Sequence, residues 1–152
     1  MWIIRLIFGR PKFKMICHDS DTCSYLHCTI LNMPIKNKFL RLIGVKRQVD
    51  NFNVIYHIGK ENSRTITCGG EAYDGYKPLP SSEYFGADFD IKPSQCDTSW
   101  FDRKRKPLDD GRYTILFKIL HDNNETKMVK TFGVDKIRRK VLMTWLSEDR
   151  MW

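Results

Sequence analysis

Five residues in the first fifth of the chain are of the types that bind metal ions, namely Cys17, His18, Cys23, His27 and Cys28. Thiolates and imidazoles are common zinc ligands, and a structural zinc site needs four of them. No Cys-x-x-Cys pair occurs here, and in a strand the adjacent His27 and Cys28 would point to opposite faces. We therefore expect no metal site, and we interpret Cys17 and Cys28 as small core residues.

Nucleophilic catalysis needs a nucleophile, a base and a group that orients the base. The four histidines are scattered, and the chain has no Gly-x-Ser-x-Gly turn, phosphate-binding loop or His-Glu-x-x-His helix. Asp88 and Asp90 would share one face of a strand, where paired carboxylates can hold a proton or a cation but more often form a wet face. The sequence therefore predicts a non-catalytic protein without a metal or small-molecule cofactor.

The formal net charge of +8 favours acidic partners, although the same charge also serves solubility. The charge is patterned, since residues 71–97 carry six acids and two bases, whereas other stretches are strongly basic. Such stretches suit nucleic acid or an anionic membrane surface, but no RNA-recognition, KH or zinc-finger signature accompanies them. The residues predicted to bind a polyanion are Arg103, Lys104, Arg105, Lys106, Arg138, Arg139 and Lys140.

A second hypothesis is a protein partner, bound through sandwich loops or a sheet edge. Its predicted anchors are Tyr73, Tyr76, Tyr84 and Phe85, because aromatic side chains dominate interface hot spots. The competing interpretation is that these rings fold back on their own domain. A protein-interaction module is the first hypothesis and a polyanion-binding module the alternative. Salt separates them, because phosphate-driven binding weakens steeply as salt rises.

Short alternating segments predict an all-β fold. Residues 112–120 are rich in β-branched and aromatic types, and after a polar turn residues 127–134 complete a hairpin. Weaker strands are predicted at 13–17, 25–31, 52–58, 64–68 and 84–91. The stretch 69–82, rich in Gly, Pro, Tyr and Ser, is predicted to be a long loop. Such a strand pattern indicates an antiparallel sandwich or barrel.

The two ends of the chain differ from this pattern. Residues 136–152 place apolar side chains at helical spacing, which predicts a short amphipathic C-terminal α-helix. Residues 1–12 are apolar but interrupted by Arg5, too short to span a membrane. They are expected to form a first strand or a docked arm, or else to dip into an anionic membrane surface. The sandwich domain itself is predicted to cover residues 13–135.

The segment 108–115 resembles the tyrosine corner of immunoglobulin-like domains. Asp109, Gly111 and Tyr113 match the Asp-x-Gly-x-Tyr-x-Cys pattern that leads into the penultimate strand, whereas Ile115 stands where the cysteine would be. The resemblance implies an immunoglobulin-like antiparallel β-sandwich in which the tyrosine hydroxyl bonds back to nearby backbone. It also implies that Cys28, on the strand that would bear the first cysteine, has no cysteine opposite it. It implies no activity, because this architecture serves many functions.

Five cysteines are too few and odd in number for a disulfide framework. We therefore expect a reducing compartment, with the protein cytoplasmic or on a membrane surface that faces one.

Overall fold

The chain folds mainly into β-strands, with two short helices. The computed structural model describes residues 2–19, 25–62, 66–92, 96–97, 105–106, 108–135, 140–144 and 150–151. The helices are α1 (Trp2–Phe8) and α2 (Lys38–Leu42). The strands are β1 (Phe13–Asp19), β2 (Leu26–Asn32), β3 (Val49–Lys60), β4 (Ile66–Glu71), β5 (Lys77–Leu79), β6 (Ala87–Ile91), β7 (Cys96–Asp97), β8 (Arg105–Lys106), β9 (Gly111–His121), β10 (Asn124–Asp135), β11 (Lys140–Thr144) and β12 (Arg150–Met151).

Two antiparallel sheets pack against each other, as the strand pattern predicts. The first has the order β1-β2-β6, and the second has the order β11-β10-β9-β3-β4. Strand β5 pairs with β3, β12 pairs with β10, and β7 pairs with β8 in a separate ribbon. One continuous core joins both sheets; for example, the rings of Phe89 on β6 and Phe117 on β9 lie 6.0 Å apart in an edge-on contact.

The period-two pattern of β9 places its larger apolar side chains inside. Tyr113, Ile115, Phe117 and Ile119 are all buried, while the residues between them are partly exposed. Strand β10 pairs with β9 over its length and returns through a two-residue turn at Asp122 and Asn123, whose φ angles are 43° and 65°. Positive φ at both positions gives the twist that a tight hairpin requires. The predicted hairpin is confirmed.

The tyrosine of the predicted corner makes the expected local bond. The Tyr113 hydroxyl donates to the backbone oxygen of Asp109 at 2.7 Å. Gly111 lies between them with a φ of +144°, a conformation that residues with a Cβ rarely adopt. The bond fixes the chain as it enters β9.

The predicted C-terminal helix is wrong over the residues that the structure describes. Residues 140–144 instead form β11, which pairs with the edge of β10 from Thr131↔Thr144 to Asp135↔Lys140, and β12 also pairs with β10. An isolated short helix is marginal in water, whereas an open sheet edge offers a full set of backbone hydrogen bonds. The second sheet therefore extends beyond residue 135, where the sandwich was predicted to end.

Two other sequence predictions need correction. Of the three alternatives for residues 1–12, the first strand is wrong, because residues 2–8 form helix α1. The stretch 69–82 is not one long loop, because β4 continues to Glu71 and β5 occupies 77–79. The two glycines at 69 and 70 fit this strand because a Cβ at either position would collide with Tyr56 on β3.

Candidate functional site

Helices α1 and α2 lie beside the sandwich and share a small apolar cluster of their own. Its buried members are Ile35, Leu40 and Val45, and Ile4 of α1 packs against them. We call this part of the molecule, residues 2–12 and 33–48, the basic lobe. The lobe brings together two segments that are separated in sequence by β1 and β2.

Local backbone bonds explain why α2 forms where it does. The Asn37 side chain accepts hydrogen bonds from the backbone N–H groups of Phe39 and Leu40, at 2.9 and 3.3 Å, as a helix N-cap. At the other end Gly44 adopts a φ of +78°, and the N–H of Val45 returns to the carbonyl of Leu40. A single turn of helix is therefore closed at both ends.

Arginines hold α1 in place by binding its last carbonyls. Arg10 Nε donates to the Leu6 oxygen at 3.2 Å, and Arg47 Nε donates to the Phe8 oxygen at 3.2 Å. These carbonyls have no partner within the helix, so the guanidinium groups satisfy them and oppose the negative end of its dipole. The buried Asn32 side chain donates in turn to the carbonyl of Arg47 and so ties the lobe to β2.

Large apolar side chains are exposed on the basic lobe. Trp2 is 74% exposed and Leu42 is 84% exposed. The lobe has seven exposed large hydrophobic side chains in total: Trp2, Ile3, Leu6, Ile7, Phe8, Phe39 and Leu42. Exposed apolar side chains grouped on one part of a protein usually mark a contact surface for another protein or a membrane.

The basic lobe also accounts for the whole net charge of the chain. It holds eight basic residues and no Asp or Glu: Arg5, Arg10, Lys12, Lys36, Lys38, Arg41, Lys46 and Arg47. The chain has 26 Lys and Arg, so 18 remain elsewhere, which equals its 18 Asp and Glu. The excess of basic over acidic residues on the lobe therefore equals the net charge of +8, while basic and acidic residues balance in number over the remainder of the chain.

A cavity of about 330 Å³ opens beside α2. Its wall combines lobe residues with two residues that precede β6: Pro34, Ile35, Lys36, Arg41, Glu83 and Tyr84. Tyr84 and Phe85 are 82% and 79% exposed, and their N–H groups bond to the Ser82 hydroxyl at 3.2 and 3.0 Å. Gly86 lets this turn lie close to β2, because a Cβ there would come within 2.3 Å of the Ile30 carbonyl oxygen.

No protein-family model, curated protein or solved structure matches the chain. Within the described ranges, neither helix is long and apolar enough to cross a membrane.

The predicted aromatic anchors do not form one surface. Tyr73 packs against the core, with its ring 6.0 Å from Phe52 and its hydroxyl donating to the Asp88 carbonyl at 2.8 Å. Burial raises the pKa of its hydroxyl, which suits this structural role. Tyr76 is exposed but lines a different cavity, beside the β9–β10 turn, so only Tyr84 and Phe85 stay together.

The predicted polyanion residues fall largely outside the described part of the chain. Arg103, Lys104, Arg138 and Arg139 lie outside the described residues. Arg105 and Lys106 form β8, and Lys140 begins β11, but their side chains are not described. The predicted clusters at 103–106 and 138–140 thus remain predictions, whereas the basic lobe is defined in the structure.

A row of polar side chains crosses the outer face of the first sheet. His27 Nδ1 lies 2.7 Å from Asp90 Oδ1, and its Nε2 lies 3.6 Å from Asp88 Oδ1. The His18 ring is 5.0 Å from that of His27, and the Thr29 hydroxyl donates to Asp88. Among the residues described, no three His, Cys, Asp or Glu side chains are arranged to hold a metal ion. These contacts connect the outward side chains of neighbouring strands and so serve a structural role.

Two free thiols face each other in the core. Cys17 and Cys28 are register partners on β1 and β2, and both are buried. The hydrogen bond between the thiols and their burial raise the pKa of Cys28, so its reactive thiolate form is disfavoured. Lys130 of β10 is buried near them, and burial lowers the pKa of its amine. Cys68, by contrast, is disulfide-bonded.

The sequence already contained the signal for the basic lobe. Eight bases without an acid in two segments are visible in the chain, five of them after Pro34 and three in the apolar N-terminal stretch. Only the fold joins them, because β1 and β2 form a hairpin-like pair that returns residue 33 to the side of Lys12, where Met33 N donates to the Lys12 carbonyl at 2.8 Å.

Proposed function

We propose that this protein is a non-catalytic binding module that docks on an anionic lipid surface through its basic lobe. The observation that carries the proposal is the coincidence, on one lobe, of seven exposed large apolar side chains and the entire net charge. Apolar insertion and attraction to anionic headgroups are the two contributions that hold a protein at a membrane interface.

The free energies available from the lobe are large enough for stable binding to a membrane surface. A Lys or Arg near an anionic surface contributes about 1 kcal/mol, and full burial of a Leu or Phe side chain contributes about 1.5–3 kcal/mol. Two inserted side chains and half of the eight basic residues together reach about 8 kcal/mol, which corresponds to micromolar binding. The lobe need not insert completely to bind.

The test is flotation of the intact protein with vesicles of phosphatidylcholine, with and without phosphatidylglycerol, across a salt series. Binding is expected only with the anionic lipid and should weaken as salt rises. Leu42→Ala should weaken it about fivefold, because most of that side chain is available for insertion. The matched control is Ile66→Ala, which removes exposed apolar surface from β4 and should change nothing.

Three outcomes would contradict the proposal. The first is equal binding to neutral and anionic vesicles, and the second is an equal effect of Leu42→Ala and Ile66→Ala. The third is a stable dimer by light scattering that Leu42→Ala dissociates, because a second copy would then cover the apolar surface.

A protein partner at Tyr84 and Phe85 is the second candidate, favoured by the exposure and fixed turn of these two rings. Such an interface would be insensitive to salt, unlike the lipid contact.

We infer an immunoglobulin-like plan for the sandwich, supported by strand order. Strands β1, β2 and β6 would correspond to A, B and E, and β3, β9 and β10 to C, F and G, with β4 beside C. The Tyr113 bond to Asp109 also fits. This plan places Cys28 opposite Ile115, so Ile115→Cys in a Cys17→Val background should form an inter-sheet disulfide on mild oxidation. Failure to form it would refute the plan.

A further inference from the structure

The cavity beside α2 carries charges of both signs. The residues that line this space of about 330 Å³ include two bases, Lys36 and Arg41, and one acid, Glu83. Within the part of the chain that the structure describes, these three side chains make no ion pair with one another. The exposed Tyr84 also lines the cavity. Charged residues that do not pair with one another around a small cavity suit a ligand that carries two negative groups and one positive group.

We propose that this cavity binds the headgroup of phosphatidylserine, an inference that rests on the proposed docking of the basic lobe on anionic lipid. That headgroup has two negative groups, a phosphodiester and a carboxylate, and one positive ammonium. Arg41 and Lys36 would bind the two anions, with the planar guanidinium suited to bidentate contact. Glu83 and the face of Tyr84 would bind the ammonium, by ionic and cation–π contact.

Glu83 is the residue that decides between lipid classes. A carboxylate on the cavity wall repels a ligand that is only anionic, such as an inositol phosphate or a phosphatidylglycerol headgroup. It attracts a headgroup that also carries an amine. The modest volume agrees, because about 330 Å³ is at the lower end of the range for small-molecule sites.

The position of the cavity in the lobe fits a lipid headgroup. Arg41 lies on α2 between Phe39 and Leu42, which are both exposed. Insertion of these apolar side chains to the depth of the acyl boundary would bring Arg41 to the level of the headgroups. A single helical turn would therefore supply both the apolar contact and one of the recognising cations.

The experiment compares vesicles that contain phosphatidylserine with vesicles that contain the same fraction of phosphatidylglycerol, so that surface charge is constant. The intact protein is expected to prefer phosphatidylserine about tenfold, the ratio that one well-made ionic hydrogen bond provides. Glu83→Gln should remove this preference by raising the affinity for phosphatidylglycerol. Arg41→Ala should weaken binding to phosphatidylserine more than to phosphatidylglycerol.

The matched control is Lys38→Ala, which removes an exposed base of α2 that does not line the cavity and should weaken binding to both lipids equally. Thermal melts of all variants should coincide with that of the parent, since every altered side chain is exposed.

Each result separates the two proposals. Equal binding of the parent protein to both lipids, with no change in the ratio for Glu83→Gln, would overturn the headgroup site and leave membrane docking intact. Equal binding to phosphatidylserine made with L- or D-serine would also overturn it, because a built cavity distinguishes the enantiomers. Absence of binding to either lipid would refute the proposed function itself.

Discussion

Replacing Tyr113 by phenylalanine removes one hydroxyl from the entrance to β9 and leaves the ring. The ring stacks on Phe132 with centroids 5.5 Å apart and planes inclined by 23°, and this contact survives the change. What is lost is the 2.7 Å bond to the Asp109 carbonyl. A bond of this kind contributes about 1 kcal/mol net, which for a chain of 152 residues lowers the melting temperature by about 2–4 °C.

Urea denaturation followed by tryptophan fluorescence measures this difference directly. Tyr113→Ala should cost about 3–5 kcal/mol, because it also leaves a cavity in the core. Tyr76→Phe is the matched control, since that hydroxyl belongs to an exposed side chain, and it should change stability by less than about 0.5 kcal/mol. The reasoning is refuted if Tyr113→Phe matches the control, or if it costs as much as Tyr113→Ala.

Three further predictions concern stability. Burial lowers the pKa of His121, so as the pH falls the unfolded chain binds this proton before the folded protein does, and stability is lost below about pH 6.5. His121→Gln should reduce this loss of stability in urea titrations at several pH values. An unchanged dependence of stability on pH would contradict the assignment to His121. Gly86→Ala should lower the free energy of unfolding by more than about 1 kcal/mol, because its Cβ would meet the Ile30 carbonyl, and a neutral result would show that the turn can shift. Asn32→Ala should lower the free energy of unfolding by about 1–3 kcal/mol and speed amide hydrogen exchange in α1 and α2 selectively, since it releases the Arg47 carbonyl. Exchange that speeds up equally in the sandwich and in the two helices would disprove the link.

The second half of the sandwich could be predicted from sequence because its information is local. Alternation in 112–120, a polar turn and the Asp-x-Gly-x-Tyr pattern each constrain neighbouring residues, and the observed β9, its hairpin and the Tyr113 bond follow from them. The first sheet was predicted less sharply, since the short β1 and β6 are defined mainly by their pairing with β2.

The ends of the chain could not be predicted because tertiary contacts decide their structure. The apolar spacing in 136–152 suits a helix when the segment is considered alone, but β10 offers an edge to which β11 pairs. For α1, one side chain, Ile4, joins the lobe cluster and two arginines bind the final carbonyls. The Arg47 contact comes from 39 residues away, and no periodicity within the first residues of the chain can indicate it.

The segregation of charge has a kinetic consequence. The eight bases of the basic lobe, with no acid among them, give the molecule one strongly positive side. Within a Debye length of an anionic surface, about 8 Å at physiological ionic strength, the field would rotate the molecule before any contact is made. Association would thus begin with the lobe already facing the surface, and raising the salt should slow the on-rate more than it speeds dissociation.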